Sequence, residues 1–329
     1  MLRDKDRREQ YERAIRAEIA RYVDLVGEKP HVVDLGAGTG LLSMMALEHG
    51  ARCATLVDVN MNMLDMARTA LEEKGYEEGV DFNIFHGSFT RMAFDAQIWS
   101  GTGLFDMLVC EIIGTLTTSE SMQTYIPDAL KHVRAFEGKH FVVPSSATQK
   151  LSLCRIPLFD KANPCVNYAH DNLLPDWGED NVVRFVSTNG SGLNLYNLHE
   201  YRFFVYESHA IRVDTFDQVG CDLTEQVEFY VPRSLPQNES RNHFLVLEWK
   251  CTLAHGIELS NTLQGYKRIE HPSSVDRAVA WGFMLAQCVP LQKMCEQRVR
   301  FDVSYPNDWP RIELEEKCPP GKKMRSVVA

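Results

Sequence analysis

Two groups of residues in this chain have the types and spacing to do chemistry. The first is Asp34-Leu35-Gly36-Ala37-Gly38-Thr39-Gly40, with a second acid at Asp58. Glycines after an apolar run let a ligand approach the backbone, because no Cβ stands in the way. An acid at the tip of the following strand, roughly 20 residues on, accepts hydrogen bonds from both hydroxyls of a ribose. The spacing is D-x-G-x-G-x-G rather than the dinucleotide G-x-G-x-x-G, and it suits a nucleoside without phosphates. S-adenosylmethionine is such a ligand, and Asp34 or nearby backbone carbonyls are candidates to hold its ammonium. The second group is Glu111 and Glu120, nine positions apart, flanking a loop that contains Gly114. If that loop folds back, two facing carboxylates bind one planar guanidinium through paired, charge-assisted hydrogen bonds. A competing reading places Glu120 at the start of the next helix, with Ser119 as its N-cap.

The surrounding pattern must put these groups together. His31-Val32-Val33-Asp34-Leu35 reads as a short buried strand, and Leu41, Leu42, Met45 and Ala46 recur at helical spacing until Gly50. A second apolar run, Ala54–Val57, ends in Asp58. Strand, glycine turn, helix, strand and acid make one half of a nucleotide-binding α/β sheet. A helix over 59–75 carries Met61, Met63 and Met66, methionines read as core. Residues 81–88 read as a third strand running into a loop, with Ser88 at the sheet edge where an adenine sits. Residues 104–110 read as a fourth strand that delivers Glu111 at its carboxyl end. After Tyr125 a helix is expected to run to about Val133.

At the amino terminus, residues 1–27 read as a helix with Tyr11, Ile15, Ile19 and Tyr22 along one stripe. Arg7 and Arg8 near its start either reach the ligand's carboxylate or form a solvated charged face. From about residue 145 short β-rich runs alternate with turns, as in an antiparallel sandwich or barrel. Residues 157–199 form a long excursion rich in Pro, Asn, Asp and Gly, and excursions of that length are usually functional. The tail, 304–329, is expected to be partly disordered at its end.

Composition narrows the class. Of 329 residues, 44% are hydrophobic and 24% charged, which is ordinary for a globular protein. No run of eighteen apolar residues marks a membrane helix, and the charged start Arg3–Glu9 is no signal peptide. The nine cysteines show no C-x-x-C spacing and no zinc pattern. A net charge of −10 disfavours direct nucleic-acid binding and favours a basic peptide or protein as partner.

With both groups placed, nearly the whole chain resembles the protein arginine methyltransferase family. Asp34–Gly40 resembles the family's cofactor motif, and Asp58 takes the place of its ribose-binding acid. Glu111 and Glu120 match its double-glutamate loop, with Gly114 between them. Val142-Val143-Pro144-Ser145 resembles the passage from a Rossmann-like half into a β-barrel half. The start, Met1–Arg7 with Tyr11 and Ile15, together with Gly40–Ala46, is most similar to the monomethylating, type III branch.

The resemblance implies three parts. Residues 1–30 form a helix over the cofactor, 31–144 a Rossmann-like methyltransferase domain, and 145–329 a β-barrel substrate domain with a dimerisation arm at about 157–199. It implies transfer of a methyl group from S-adenosylmethionine, leaving S-adenosylhomocysteine, to an arginine of a protein. Expected substrates are arginine- or arginine-glycine-rich proteins, including histones or RNA-binding proteins, acted on by a homodimer in cytoplasm and nucleus. By the same resemblance Glu111 and Glu120 are catalytic, and Trp281 joins them in binding substrate. Arg7, Asp34, Gly36, Gly38, Gly40, Asp58, Ser88 and Glu111 bind the cofactor, and no metal takes part. In the family's Thr-His-Trp loop, Ala280 stands where most members have His. The short tyrosine-bearing helix that usually precedes this start is not included.

Three alternatives stay open: a methyltransferase acting on another nucleophile, a catalytically weak paralogue that scaffolds a partner enzyme, and an NAD-dependent oxidoreductase, which the glycine spacing disfavours.

Overall fold

A computed structural model describes residues 5–89, 105–114, 116–155, 186–187, 204–230, 243–261, 284–287 and 298–315. The excursion at 157–199 lies outside the described residues apart from 186–187, and so do Ala280, Trp281 and the tail beyond 315.

Helix α1 (Lys5–Val26) comes first, followed by β1 (His31–Leu35), α2 (Leu41–Glu48), β2 (Cys53–Asp58), α3 (Met61–Glu73), β3 (Phe82–His86) and β4 (Met107–Cys110). Then come α4 (Met122–Leu130), β5 (Ala135–Phe136) and β6 (Lys139–Val143). These strands form one sheet in the order β3-β2-β1-β4-β6-β5. All its pairs are parallel except the short β5–β6 hairpin. The apolar runs explain this: Val32 to Leu35 are all buried, as in a parallel strand covered on both faces. The α4 helix starts at Met122, so it includes Tyr125 rather than following it.

The α1 stripe is as the periodicity demands. Tyr11, Ala14, Ile15, Ile19 and Tyr22 are buried against Val32, Val109 and Phe141 of the sheet. The rings of Tyr22 and Phe141 meet edge to face with centroids 5.0 Å apart, a geometry worth about 0.5–1.5 kcal/mol beyond burial. On the neighbouring α2–α3 layer, Leu64, Ala67 and Leu71 close over Leu56 and Phe82. Met63 lies half-buried, while Met61 and Met66 are exposed, so of the methionines read as core neither of these last two enters it.

The remaining strands are β7 (Ser146–Arg155), β8 (Val186–Ser187), β9 (Phe204–Thr215), β10 (Gly220–Leu223), β11 (Gln226–Tyr230), β12 (His243–Ala254), β13 (Ile257–Ser260), β14 (Met284–Gln287), β15 (Arg298–Ser304) and β16 (Arg311–Leu314). One sheet runs β10-β9-β7-β12-β14-β8, with β13 pairing β12, and a second runs β11-β15-β16. The pairs β12–β13, β12–β14, β14–β8, β11–β15 and β15–β16 are antiparallel.

The chain divides into two compact units. The first is Met1–Gln149 with Arg212–Asp222 and Trp249–Trp281; the second is Lys150–Ile211 with Leu223–Glu248 and Gly282–Ala329. The division falls inside β7, β9, β10 and β12. In the first unit Phe216, Trp249 and Cys251 share one core with Val33, Leu108, Cys110 and Val142. In the second, the β11-β15-β16 sheet buries Val227, Phe229, Val299, Phe301, Val303 and Ile312.

Candidate active site

Sheet register assembles the site in the first unit. Leu35 stands opposite Val57 on one side and Cys110 on the other. The next residue of each strand or turn, Gly36, Asp58 and Glu111, therefore leaves the sheet at one edge. Asp58 pairs with His86, which brings Ser88 to that edge as well. Strands β2 and β3 extend to one side of β1 and β4 to the other. A crevice opens where strand order reverses in this way, at the carboxyl ends of the strands.

The glycine turn is folded tightly onto β2. Gly36 N and Ala37 N both donate to Val57 O, at 2.9 and 3.1 Å. Gly36, Gly38 and Gly40 have φ of +71°, +52° and +75°. Gly40 is the most constrained: a Cβ there would lie 2.9 Å from Ala67 Cβ and 3.1 Å from Leu56 Cδ2. Asp58 braces the turn from outside. Its Oδ2 accepts from Gly38 N at 2.8 Å and its Oδ1 from Asn60 N at 2.8 Å. Each oxygen keeps a lone pair, so this half-buried carboxylate can still accept two ribose hydroxyls. Glycine cradle, Asp58 and Ser88 thus fit a phosphate-free nucleoside.

Asp34 behaves differently from the expectation. Its side chain is fully buried, and Oδ2 accepts from both Ser43 N (3.0 Å) and Ser43 Oγ (2.7 Å). It therefore satisfies an amide of the first turn of α2, which has no partner within the helix. Its Oδ1 has no hydrogen-bond partner among the described residues. Burial pushes the Asp34 carboxyl up to about 7, while the two Ser43 bonds pull it down. Asp34 is placed as an inner brace of the turn rather than on its open side.

The second group lies at the tip of β4. Arg7, buried in α1, places Nη1 3.1 Å from Glu111 Oε1, whereas Arg8 is exposed. One turn along the same helix face, Tyr11 donates its hydroxyl to Cys110 O at 3.0 Å. Helix α1 thus grips β4 immediately before Glu111. Glu120 reaches solvent; partial burial raises its carboxyl's pKa and the charge of Arg7 lowers it.

Between the glutamates the loop is pinned. Trp249 Nε1 donates to Gly114 O at 3.0 Å, and Thr117 N donates to Gln149 Oε1 at 3.0 Å. Ser119 Oγ donates to Leu116 O at 2.8 Å and accepts from Leu116 N at 3.2 Å. A Cβ on Gly114 would lie 2.1 Å from Ser119 Oγ, so a side chain there would break this turn. Ser119 does not cap α4: the N-cap position is Ser121, at φ 60°, and it makes no side-chain cap bond. Glu120 therefore belongs to the loop, not to the helix. Among the described residues no cluster of three His, Cys, Asp or Glu side chains is arranged to hold a metal, and no helix is long and apolar enough to cross a membrane.

Comparison with known proteins agrees with this geometry. The Methyltransferase domain family matches residues 32–134. Protein arginine N-methyltransferase 7 of Bos taurus is 42% identical over 148 residues, covering 45% of this chain and 20% of that protein. The Danio rerio protein of the same name is 36% identical over 115 residues, covering 35% of this chain and 16% of its own length. Over these residues the chain is similar to the protein arginine methyltransferases. The matches to these curated relatives span about a fifth of their length or less. The fold extends further than the sequence identity. The Trypanosoma brucei PRMT1 enzyme-prozyme heterotetrameric complex with AdoHcy contains a chain that superposes with a TM-score of 0.56 at 20% identity, covering 93% of this chain and 87% of that one. At that identity the likeness is one of fold, in keeping with a Rossmann-like methyltransferase domain and an antiparallel barrel domain.

Sequence reasoning missed four participants. Trp249 and Gln149 lie in runs that read only as barrel strands. Ser43 sits inside a helix read as apolar, and the Tyr11 hydroxyl was hidden in an apolar stripe. Only Tyr11 carried a signal, since it lies four residues after Arg7 and thus on the same helix face.

Proposed function

We propose that the protein transfers a methyl group from S-adenosylmethionine to a guanidino nitrogen of arginine in proteins. The observation that carries this reading is that the Arg7 guanidinium bonds Glu111 at 3.1 Å beside the glycine turn, with Glu120 on the far side of the same pinned loop. Glu111 thus already holds one planar cation at the tip of β4, and the loop that follows it carries the second acid. A neutral acceptor would not need such a pair.

In this reading the glycine turn and Asp58 hold the nucleoside, Ser88 borders its adenine, and Arg7 takes its carboxylate. Backbone carbonyls of the turn, rather than Asp34, take its ammonium. When bound, the cofactor supplies an electrophilic methyl group on a sulfonium. Glu111 and Glu120 then orient the substrate guanidinium, which is a poor nucleophile in its protonated, delocalised form. Paired bonds to the two carboxylates fix its plane and concentrate its positive charge on the nitrogens they hold, leaving lone-pair density on the remaining one. A proton leaves the methylated nitrogen late, with Glu120 as its acceptor. Most of the rate gain comes from position and electrostatics.

The type III, monomethylating outcome is the finer part of the proposal, supported by the resemblance of Met1–Arg7 and Gly40–Ala46 to that branch. Arginine- and glycine-rich proteins are the proposed substrates, consistent with the net charge of −10. A homodimer through residues 157–199 is proposed with them.

The test is mass spectrometry of an arginine- and glycine-rich peptide after incubation with protein and S-adenosylmethionine. One added methyl per arginine, even at long times, is the expected result. Two on one arginine would discard the branch. None, with cofactor binding confirmed by calorimetry, would discard the activity.

A further inference from the structure

Glu111 and Glu120 are held in unlike ways. Glu111 follows β4 directly and inherits its position from the central sheet. Glu120 ends a loop, with only Ser121, whose side chain makes no cap bond, between it and α4. The separation of the two carboxylates therefore depends on the loop between them, described at residues 112–114 and 116–119. That path is pinned twice, from residues distant in the sequence. The indole of Trp249 bonds the Gly114 carbonyl, and the amide of Gln149 accepts from Thr117 N at 3.0 Å and Thr117 Oγ1 at 3.4 Å. Both side chains are enclosed, at 0% and 1% exposure. Trp249 is itself fixed, its backbone N–H donating to Asn261 Oδ1 at 2.5 Å. The pinned groups are loop backbone polar groups facing protein, where an unmade hydrogen bond costs its full desolvation penalty. Satisfying them selects one loop path. The Ser119–Leu116 turn then carries that path on to Glu120.

We propose that Trp249 and Gln149 are positioning residues for the carboxylate pair: they set where Glu120 stands relative to Glu111, and so the turnover of the guanidinium held between them. The inference rests on the methyl-transfer reading above. The bonds described tie both residues to the loop, while the glycine turn is braced separately by Ser43 and Asp58. Their loss is therefore read in turnover and not in cofactor affinity.

The experiment measures kcat and KM on an arginine- and glycine-rich peptide, cofactor Kd by calorimetry, and melting temperature. It compares wild type with Gln149→Met, Gln149→Glu and Trp249→Phe. Gln149→Met keeps the side-chain length but removes the acceptor; Gln149→Glu keeps an acceptor oxygen; Trp249→Phe removes the indole N–H. A reacting group misplaced by about 1 Å loses about 100-fold in rate, so Gln149→Met and Trp249→Phe are expected to lower kcat by about 10- to 100-fold with cofactor Kd within about twofold. Gln149→Glu is expected to recover most of that loss. Unchanged kcat in a folded Gln149→Met protein would overturn the inference, as would equal loss of kcat and cofactor affinity, which marks a merely structural role. If Trp249→Phe does not fold, the two Gln149 variants decide alone. A wild-type protein that binds cofactor but methylates no arginine would overturn the underlying reading, an outcome distinct from active variants.

Discussion

Replacing Asp34 with Asn should stabilise this protein at pH 8 and change it little near pH 4. The Asp34 carboxyl is fully buried, and its pKa is raised from 3.8 to about 7. Between those values the folded chain holds a proton that the unfolded chain has released. Stability from Asp34 is thus complete below the unfolded pKa and is lost as pH rises through the folded one. The difference of about three units corresponds to about 4 kcal/mol at about 1.4 kcal/mol per unit. Asparagine keeps an acceptor for Ser43 N and Oγ, the bonds Asp34 makes at 3.0 and 2.7 Å, and carries no charge to bury. The stability gap between variant and wild type should therefore grow from near zero at pH 4 to about 4 kcal/mol at pH 8. Urea unfolding of both proteins across that range measures it. A gap that does not vary with pH would refute the buried-brace assignment. Calorimetry with S-adenosylmethionine on the same samples adds a second test: a tenfold or larger loss of affinity in Asp34→Asn would return Asp34 to the ammonium site.

Other residues make separate claims. Asp58→Ala removes two backbone bonds of the glycine turn together with the ribose acceptor, and cofactor Kd should rise by about tenfold or more; unchanged affinity on calorimetry would rule out the ribose role. Gly114→Ala forces a Cβ to within 2.1 Å of Ser119 Oγ, so kcat should fall while cofactor affinity holds. Adding Ser119→Gly should then restore part of the activity, and no restoration would mean that the clash is not what displaces Glu120. Glu111→Gln and Glu120→Gln should each lower kcat by about 100-fold or more, since each removes charge aimed at the reacting guanidinium; near-normal turnover in either would end the double-glutamate assignment.

The readable parts of the site share a property. Asp34, the three glycines, Asp58 and Glu111 sit within single strand–turn units, where local rules of glycine conformation and strand termination apply. The α1 stripe was legible because Tyr11, Ile15, Ile19 and Tyr22 recur at helical spacing. Ambiguity arose where a local pattern admits two outcomes. Ser119 looks like an N-cap because serine before a helix usually is one, yet its hydroxyl turns back to Leu116. Met61 and Met66 look like core because methionine usually is, yet they are exposed. Asp34 precedes a ligand-binding turn, but its side chain follows the strand's alternation inward and meets Ser43.

By itself, then, the sequence determined the nucleoside cradle, the acids that flank it, and the order of elements that carries them. These depend on backbone conformation and on which faces are apolar, both written within a few residues. Only the tertiary structure decided who touches whom across the site. Arg7 finds Glu111 and Tyr11 finds the Cys110 carbonyl because β4 lies beside β1 and under α1. Trp249 and Gln149 find the glutamate loop because the ends of β12 and β7 share a compact unit with it. Periodicity says which face of a strand or helix is buried, but not which distant side chain it is buried against; that choice is made by sheet order and packing.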